Sequence, residues 1–210
     1  MIHILVADDH AVVREGVKQI LAGLGDMTVE GEAANGQETL EKLAKGHYDV
    51  VLLDISMPGR SGLEILEEIV SQRPKLPVLI LSMHPEEQYA VRALRAGAAG
   101  YLTKASAPQE LIGAIRKVSR GGKYVTASLA EKLAMELDLG AQKQRHETLS
   151  NREYQVMLML AWGKSVGEIA SELSLSVKTV STYRSRVMEK MGMKKNAELT
   201  LYAVNNHLLS

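Results

Sequence analysis

Short apolar runs rich in β-branched residues alternate, over the first 120 positions, with longer stretches whose apolar residues recur at threes and fours. A strand buried on both faces has no polar side chain to interrupt its run, whereas a covering helix buries only one stripe, so this alternation predicts a parallel sheet flanked by helices. Five strands are expected: "IHILVA" (2 to 7), "TVEGEA" (28 to 33), "DVVLLD" (49 to 54), "PVLILS" (77 to 82) and "GYLT" (100 to 103). Helical period marks 11 to 24, 36 to 45, 62 to 73, 86 to 97 and 108 to 120. The pattern is (βα)5, and its second strand, where acids alternate with small residues, suits a sheet edge.

Gly121 and Gly122 end the last of these helices, and nothing strand-like follows. Residues 126 to 139 have the pattern of a linker helix, and "GAQKQRHE" behind it has the polar, charged composition of a hinge. From about 148 onward the chain reads entirely helical. The expected fold class is α/β plus all-α: a first domain over 1 to 122, a partly helical linker over 123 to 147, and a four-helix domain over 148 to 210.

At 210 residues and 46% apolar, the chain can build two cores. Its 25 Lys and Arg cancel 25 Asp and Glu, yet the charge is split. Residues 1 to 140 hold 15 basic against 19 acidic residues and residues 141 to 210 hold 10 against 6, so −4 faces +4. The halves are expected to meet different partners. The absence of cysteine excludes disulfides and thiolate metal sites. No apolar stretch reaches the length of a membrane span, and a cytoplasmic protein is expected.

The first strand stops on two adjacent acids, Asp8 and Asp9, which repel each other unless something compensates them. In an open parallel sheet of order 2-1-3-4-5, ligands bind beyond the strand ends between strands 1 and 3, where Asp54 ends strand 3. These three carboxylates would suit a hard, oxygen-seeking cation such as Mg²⁺. Ser82 closes strand 4 and Lys104 follows strand 5, completing a set suited to a phosphoryl group. Asp54 would be the nucleophile, Lys104 and Mg²⁺ would neutralise the equatorial oxygens, and Ser82 would hydrogen-bond the product. Taken singly, a strand-end Asp is more often a turn former or cap, and a lone Lys a solvated charge; the coincidence of five at matching strand ends favours chemistry. Asp9 could also cap the helix starting near Ala11.

"VADDH", "DVVLLDISMPGRSGLE", "ILSMH" and "AGAAGYLTK" together resemble the receiver domain of two-component response regulators, over residues 2 to about 120. The resemblance implies a flavodoxin-like fold. It makes Asp54 the phospho-acceptor, Asp8, Asp9, Asp54 and the backbone carbonyl of Ser56 the Mg²⁺ site, Lys104 the phosphate-contacting lysine, and Ser82 and Tyr101 the switch pair. It also implies a sensor histidine kinase as donor. Lys104-Ala105 departs from the family's common Lys-Pro. A phosphatase of the haloacid-dehalogenase type would need a general acid two residues after Asp54, where Ser56 stands, so a regulator rather than an enzyme is expected. A receiver that works without phosphorylation is a further alternative.

In the basic half, a helix over about 166 to 173, a short turn and a helix over about 177 to 190 would pack Ile169, Ala170 and Leu173 against Val180, Val187 and Met191. Lys178, Thr179, Ser181, Thr182, Arg184, Ser185 and Arg186 would then face outward, a mixture suited to a DNA major groove, although a merely solvated helix has similar charge. "LSNRE", "EIASELSLSVKTVSTYRSRVMEKMG" and "NAELTLYAV" resemble the helix-turn-helix domain of the NarL/FixJ (LuxR-type) regulators. Ser150 and Glu153 form a capping box. The last helix, about 195 to 208, presents Leu199, Tyr202, Ala203 and Leu208; the family uses it for dimerisation, and burial in its own domain explains Leu199 and Ala203 equally well. Trp162 and Met159 are expected in the core. The reading is a phosphorylation-controlled regulator that binds double-stranded promoter DNA as a homodimer, with RNA polymerase as a candidate partner.

Overall fold

A computed structural model describes residues 1–138 and 144–209. The part of the expected hinge at 140–143 lies outside the described residues. The chain divides into two compact units, Met1–Leu129 and Ala130–Ser210.

The first unit is a five-stranded parallel sheet of order β2-β1-β3-β4-β5. Its strands are β1 (Ile2–Ala7), β2 (Met27–Ala33), β3 (Val50–Leu53), β4 (Val78–Ser82) and β5 (Gly100–Thr103). Every residue of β3 and β4 is buried, as continuous apolar runs require, while the acid-bearing β2 lies at the edge as expected. The helices are α1 (Ala11–Leu21), α2 (Gly36–Lys45), α3 (Gly62–Gln72), α4 (Glu86–Arg95) and α5 (Pro108–Ser119). Side chains alternate across a strand, so Ile4, Val6, Val50, Leu52, Leu79 and Leu81 share one face, where Val17 and Leu21 of α1 meet Leu111, Ile115 and Val118 of α5. This unit continues past Gly122. Tyr124 donates its N–H to the Ala99 carbonyl at 2.8 Å beside Gly100, where an added Cβ would come within 2.7 Å of the Tyr124 oxygen. Behind it, Thr126 caps α6 (Ala127–Asp138) by accepting the Leu129 N–H.

The second unit takes in α6 from Ala130 onward, and after it come a 3-10 turn at Arg145–Thr148, α7 (Asn151–Ala161), α8 (Val166–Glu172), α9 (Val177–Met191) and α10 (Asn196–Asn205). Ser150 with Glu153 and Ser165 with Glu168 form complete capping boxes, satisfying first-turn N–H groups that have no helical partner. Ile169, Val180, Val187 and Met191 are fully enclosed, as the apolar spacing predicts. Leu199 and Ala203 are also fully enclosed, so burial within this unit accounts for them. Met159 is buried, but Trp162 is 55% exposed, against expectation. It is the C-cap of α7, which is buried from Arg152 to Ala161, and the chain turns away at Gly163 (φ +87°), so its ring lies beyond the enclosed helix.

Candidate functional site

Strand register builds the site. Ala7 pairs with Leu53, and the Asp54 N–H donates to the Ala7 carbonyl at 2.9 Å, so Asp8 and Asp54 emerge side by side at the carboxyl edge of the sheet. Ser82 pairs with Thr103, and the Lys104 N–H donates to the Ser82 carbonyl at 2.7 Å, which starts the Lys104 side chain from the same edge. Lys104 Nζ reaches back to Asp54 Oδ2 at 2.8 Å and Asp8 Oδ2 at 2.6 Å, with all three side chains almost wholly buried. Ligand atoms of Asp8, Asp9, Asp54 and His10 lie within 4.8 Å of one another. The other oxygen of Asp54, Oδ1, is buried and has no hydrogen-bond partner.

Burial pushes the Asp54 carboxyl above its ordinary value, against the attraction of Lys104, and the charge of Asp8 adds to the rise. Burial works against the Lys104 ammonium, but its interactions with Asp54 and Asp8 prevail and raise it. One cation thus faces more negative charge than it can cancel. A hard divalent ion fits the remaining imbalance: the donors are carboxylate oxygens, and Asp54 Oδ1 is the orphaned buried atom that such an ion or a phosphoryl group would satisfy.

The loops after β3 and β4 are joined by hydrogen bonds. Ser56, two residues beyond Asp54, places its hydroxyl 2.9 Å from His84 Nε2. Ser82 Oγ accepts the His84 N–H at 3.2 Å, and Tyr101 donates its hydroxyl to the His84 carbonyl at 2.8 Å. Tyr101 is fully buried, and burial raises its phenol, keeping the donated proton in place. Asp8, Asp9, Asp54 and Lys104 are therefore brought together, and Ser82, Ser56 and Tyr101 are linked to one another through His84. His10 was missed as a member of the cluster; its adjacency to Asp9 in "ADDH" was the available signal. Its ring nitrogen lies 2.8 Å from Asp9 Oδ1. Asp9 does not cap α1. His10 holds that position, its N–H satisfied at 2.9 Å by Asp8 Oδ1, because the strand hands the first acid rather than the second to the turn. No peptide bond among the described residues is cis, Lys104–Ala105 included.

On α9, Lys178, Ser181, Thr182, Ser185 and Arg186 are exposed as expected. Thr179 and Arg184 are half-buried, and each has a hydrogen-bond partner. The Thr179 hydroxyl lies 2.7 Å from that of the N-cap Ser176, and Arg184 Nε donates to Asn196 Oδ1 of α10 at 3.1 Å.

Comparison with known families matches residues 4–116 to the response regulator receiver domain and residues 147–203 to the luxR family of bacterial regulatory proteins. Among curated relatives, response regulator UvrY of Escherichia coli (strain K12) is 38% identical over 209 residues, 99% of this chain and 96% of UvrY. Response regulator GacA of Pseudomonas aeruginosa is 38% identical over 213 residues, covering 100% of this chain and 98% of GacA. Among solved structures, RcsB of Salmonella enterica serovar Typhimurium bound to promoter rprA in the presence of the phosphomimetic BeF3- aligns with a TM-score of 0.66 at 26% identity, covering 97% of this chain and 99% of that one.

Proposed function

This chain belongs to the response regulators that join a receiver domain to a luxR-family regulatory domain, phosphorylation-dependent DNA-binding regulators of transcription, and from that premise we propose that Asp54 is the phosphoryl acceptor that controls promoter binding through α9. The observation that carries the assignment is the orphaned, buried Asp54 Oδ1, set opposite the oxygen that Lys104 holds.

A phosphohistidine on a sensor histidine kinase is the donor. Its N–P bond breaks as a bond forms from phosphorus to an Asp54 oxygen, and the freed imidazole remains on the kinase. Lys104 neutralises charge on the transferred group, and the Ser82 hydroxyl hydrogen-bonds it. Asp8, Asp9, Asp54 and the Ser56 carbonyl would hold Mg²⁺, which supplies charge neutralisation at the phosphoryl oxygens when bound. The trigger acts through the His84 segment, since Ser82 and Tyr101 both bond its backbone. A change at Ser82 therefore bears directly on the start of α4.

Lys178, Ser181, Thr182, Ser185 and Arg186 form the face offered to double-stranded promoter DNA, and Leu201 and Val204, both more than half exposed on α10, suit a homodimer contact. RNA polymerase is a candidate partner at the promoter. Among the described residues, no helix is long and apolar enough to cross a membrane, which accords with a cytoplasmic location. The test is intact-mass measurement after incubation with a small phosphoryl donor and Mg²⁺, followed by promoter-binding assays. One added phosphoryl group and altered DNA affinity are expected, both absent in Asp54→Asn; unchanged mass in the native chain would overturn the assignment.

A further inference from the structure

The first residue of α9, Val177, is 57% exposed although it is an aliphatic, β-branched side chain. A single exposed valine is ordinary on a protein surface, so its position must carry the argument. Val177 stands four residues before Ser181 and eight before Ser185, on the row that Lys178 and Thr182 flank. It thus heads the exposed face assigned above to DNA, in the turn that a recognition helix points at base edges.

The hydroxyls on that face sharpen the chemistry. Thr182 Oγ1 donates to the Lys178 carbonyl at 3.0 Å and Ser185 Oγ donates to the Ser181 carbonyl at 3.1 Å. With their protons committed to the helix, these oxygens present lone pairs outward, and Thr182 also presents a methyl group. The face thus presents aliphatic methyl groups at Val177 and Thr182 and acceptor oxygens at Thr182 and Ser185, beside the Ser181 hydroxyl, with charge at Lys178 and Arg186. In the major groove, methyl groups meet the C5-methyl of thymine, and acceptors meet exocyclic amines.

We propose that Val177 is a specificity-determining residue whose isopropyl group packs on a thymine C5-methyl in the major groove, discriminating thymine from cytosine at one position of each half-site. The inference rests on the DNA-binding reading of α9 and deepens it.

The experiment has two stages. The full chain, with a small phosphoryl donor and Mg²⁺, first enriches duplexes from a randomised library; failure to enrich any sequence would overturn the DNA-binding reading, and this inference with it. Each thymine of the enriched site is then replaced by deoxyuridine, which deletes only the methyl group. At one thymine per half-site the native chain should lose about fourfold in affinity, the worth of one buried methyl group. Val177→Ala should flatten that loss to less than about twofold, and Val177→Ile should retain it. Thermal unfolding of Val177→Ala should match the native chain, because the side chain contributes little to the core. Identical uracil profiles for the native chain and Val177→Ala would overturn the assignment.

Discussion

Ser56 Oγ lies 2.9 Å from His84 Nε2, joining the loop that follows Asp54 at the end of β3 to the loop after β4. With the imidazole proton on Nδ1, Nε2 accepts the serine hydroxyl, and the pair would serve as a base toward water attacking a phosphoryl group carried on Asp54. His84→Ala should therefore lengthen the life of phospho-Asp54, by up to about a hundredfold, the low end of what a positioned base contributes. Following loss of label after rapid removal of donor measures this; a shortened lifetime would mean that the pair shields phosphorus instead.

Lys104 is the cation against which two buried carboxylates are balanced. In metal-free buffer, Lys104→Met should destabilise the first unit by about 3–5 kcal/mol, the usual consequence of leaving a buried charge unpaired. Urea unfolding measures the loss. Adding Asp54→Asn to the same chain should recover part of it, because one of the two stranded charges is then removed while Asp8 keeps the other.

Backbone proximity makes Gly62 a sensitive point. A Cβ there would stand 2.0 Å from the Asp54 carbonyl oxygen and 2.7 Å from Ile55 Cα, neither of which can swing aside. Gly62→Ala should cost about 1–3 kcal/mol, as overpacking does, and should lower the Mg²⁺ affinity of the displaced Asp54 loop. Gly16, inside α1 with nothing within 4 Å of its Cβ direction, is the contrasting case. Gly16→Ala should stabilise by about 0.5–1 kcal/mol, readable in the same melts.

Glu153 joins its capping box to Lys190 of α9 at 2.6 Å. Burial raises its carboxyl, but Lys190 and the hydrogen bonds at Ser150 outweigh burial and hold it below its ordinary 4.5. A depressed carboxyl stabilises the folded state above that ordinary value and loses this contribution as pH falls through the lower, folded-state value. Stability of the second unit should thus decline below pH 4.5 more steeply in the native chain than in Lys190→Met, which forfeits about 1 kcal/mol at neutral pH. Parallel pH–stability curves would contradict the pairing.

On α10, neighbouring residues should separate assembly from folding. Leu201→Asp and Val204→Asp alter exposed positions and should abolish dimeric DNA complexes while leaving the melting temperature nearly unchanged. Leu199→Ala, on the enclosed side, should instead cost about 2–5 kcal/mol in unfolding experiments. Sedimentation of each variant with duplex distinguishes the two effects.

The local code was legible because periodicity and strand ends are one-dimensional. Alternating runs set the five strands, the apolar β3 and β4 could only be interior, and the acids at positions 8, 9 and 54 were placed at strand ends by the same pattern. Parallel order 2-1-3-4-5 then required Asp8 and Asp54 to be neighbours. Side-chain partnership across loops was not legible, since spacing along the chain says nothing about where a flexible side chain finds its hydrogen bond. Thr179 turned to Ser176, Arg184 crossed to Asn196, His10 joined the acid cluster, and Trp162 left the core when α7 ended one residue earlier. Only the folded chain could decide these, because each is set by local geometry at a helix end, at a turn or between two helices, which hydrophobic pattern does not encode.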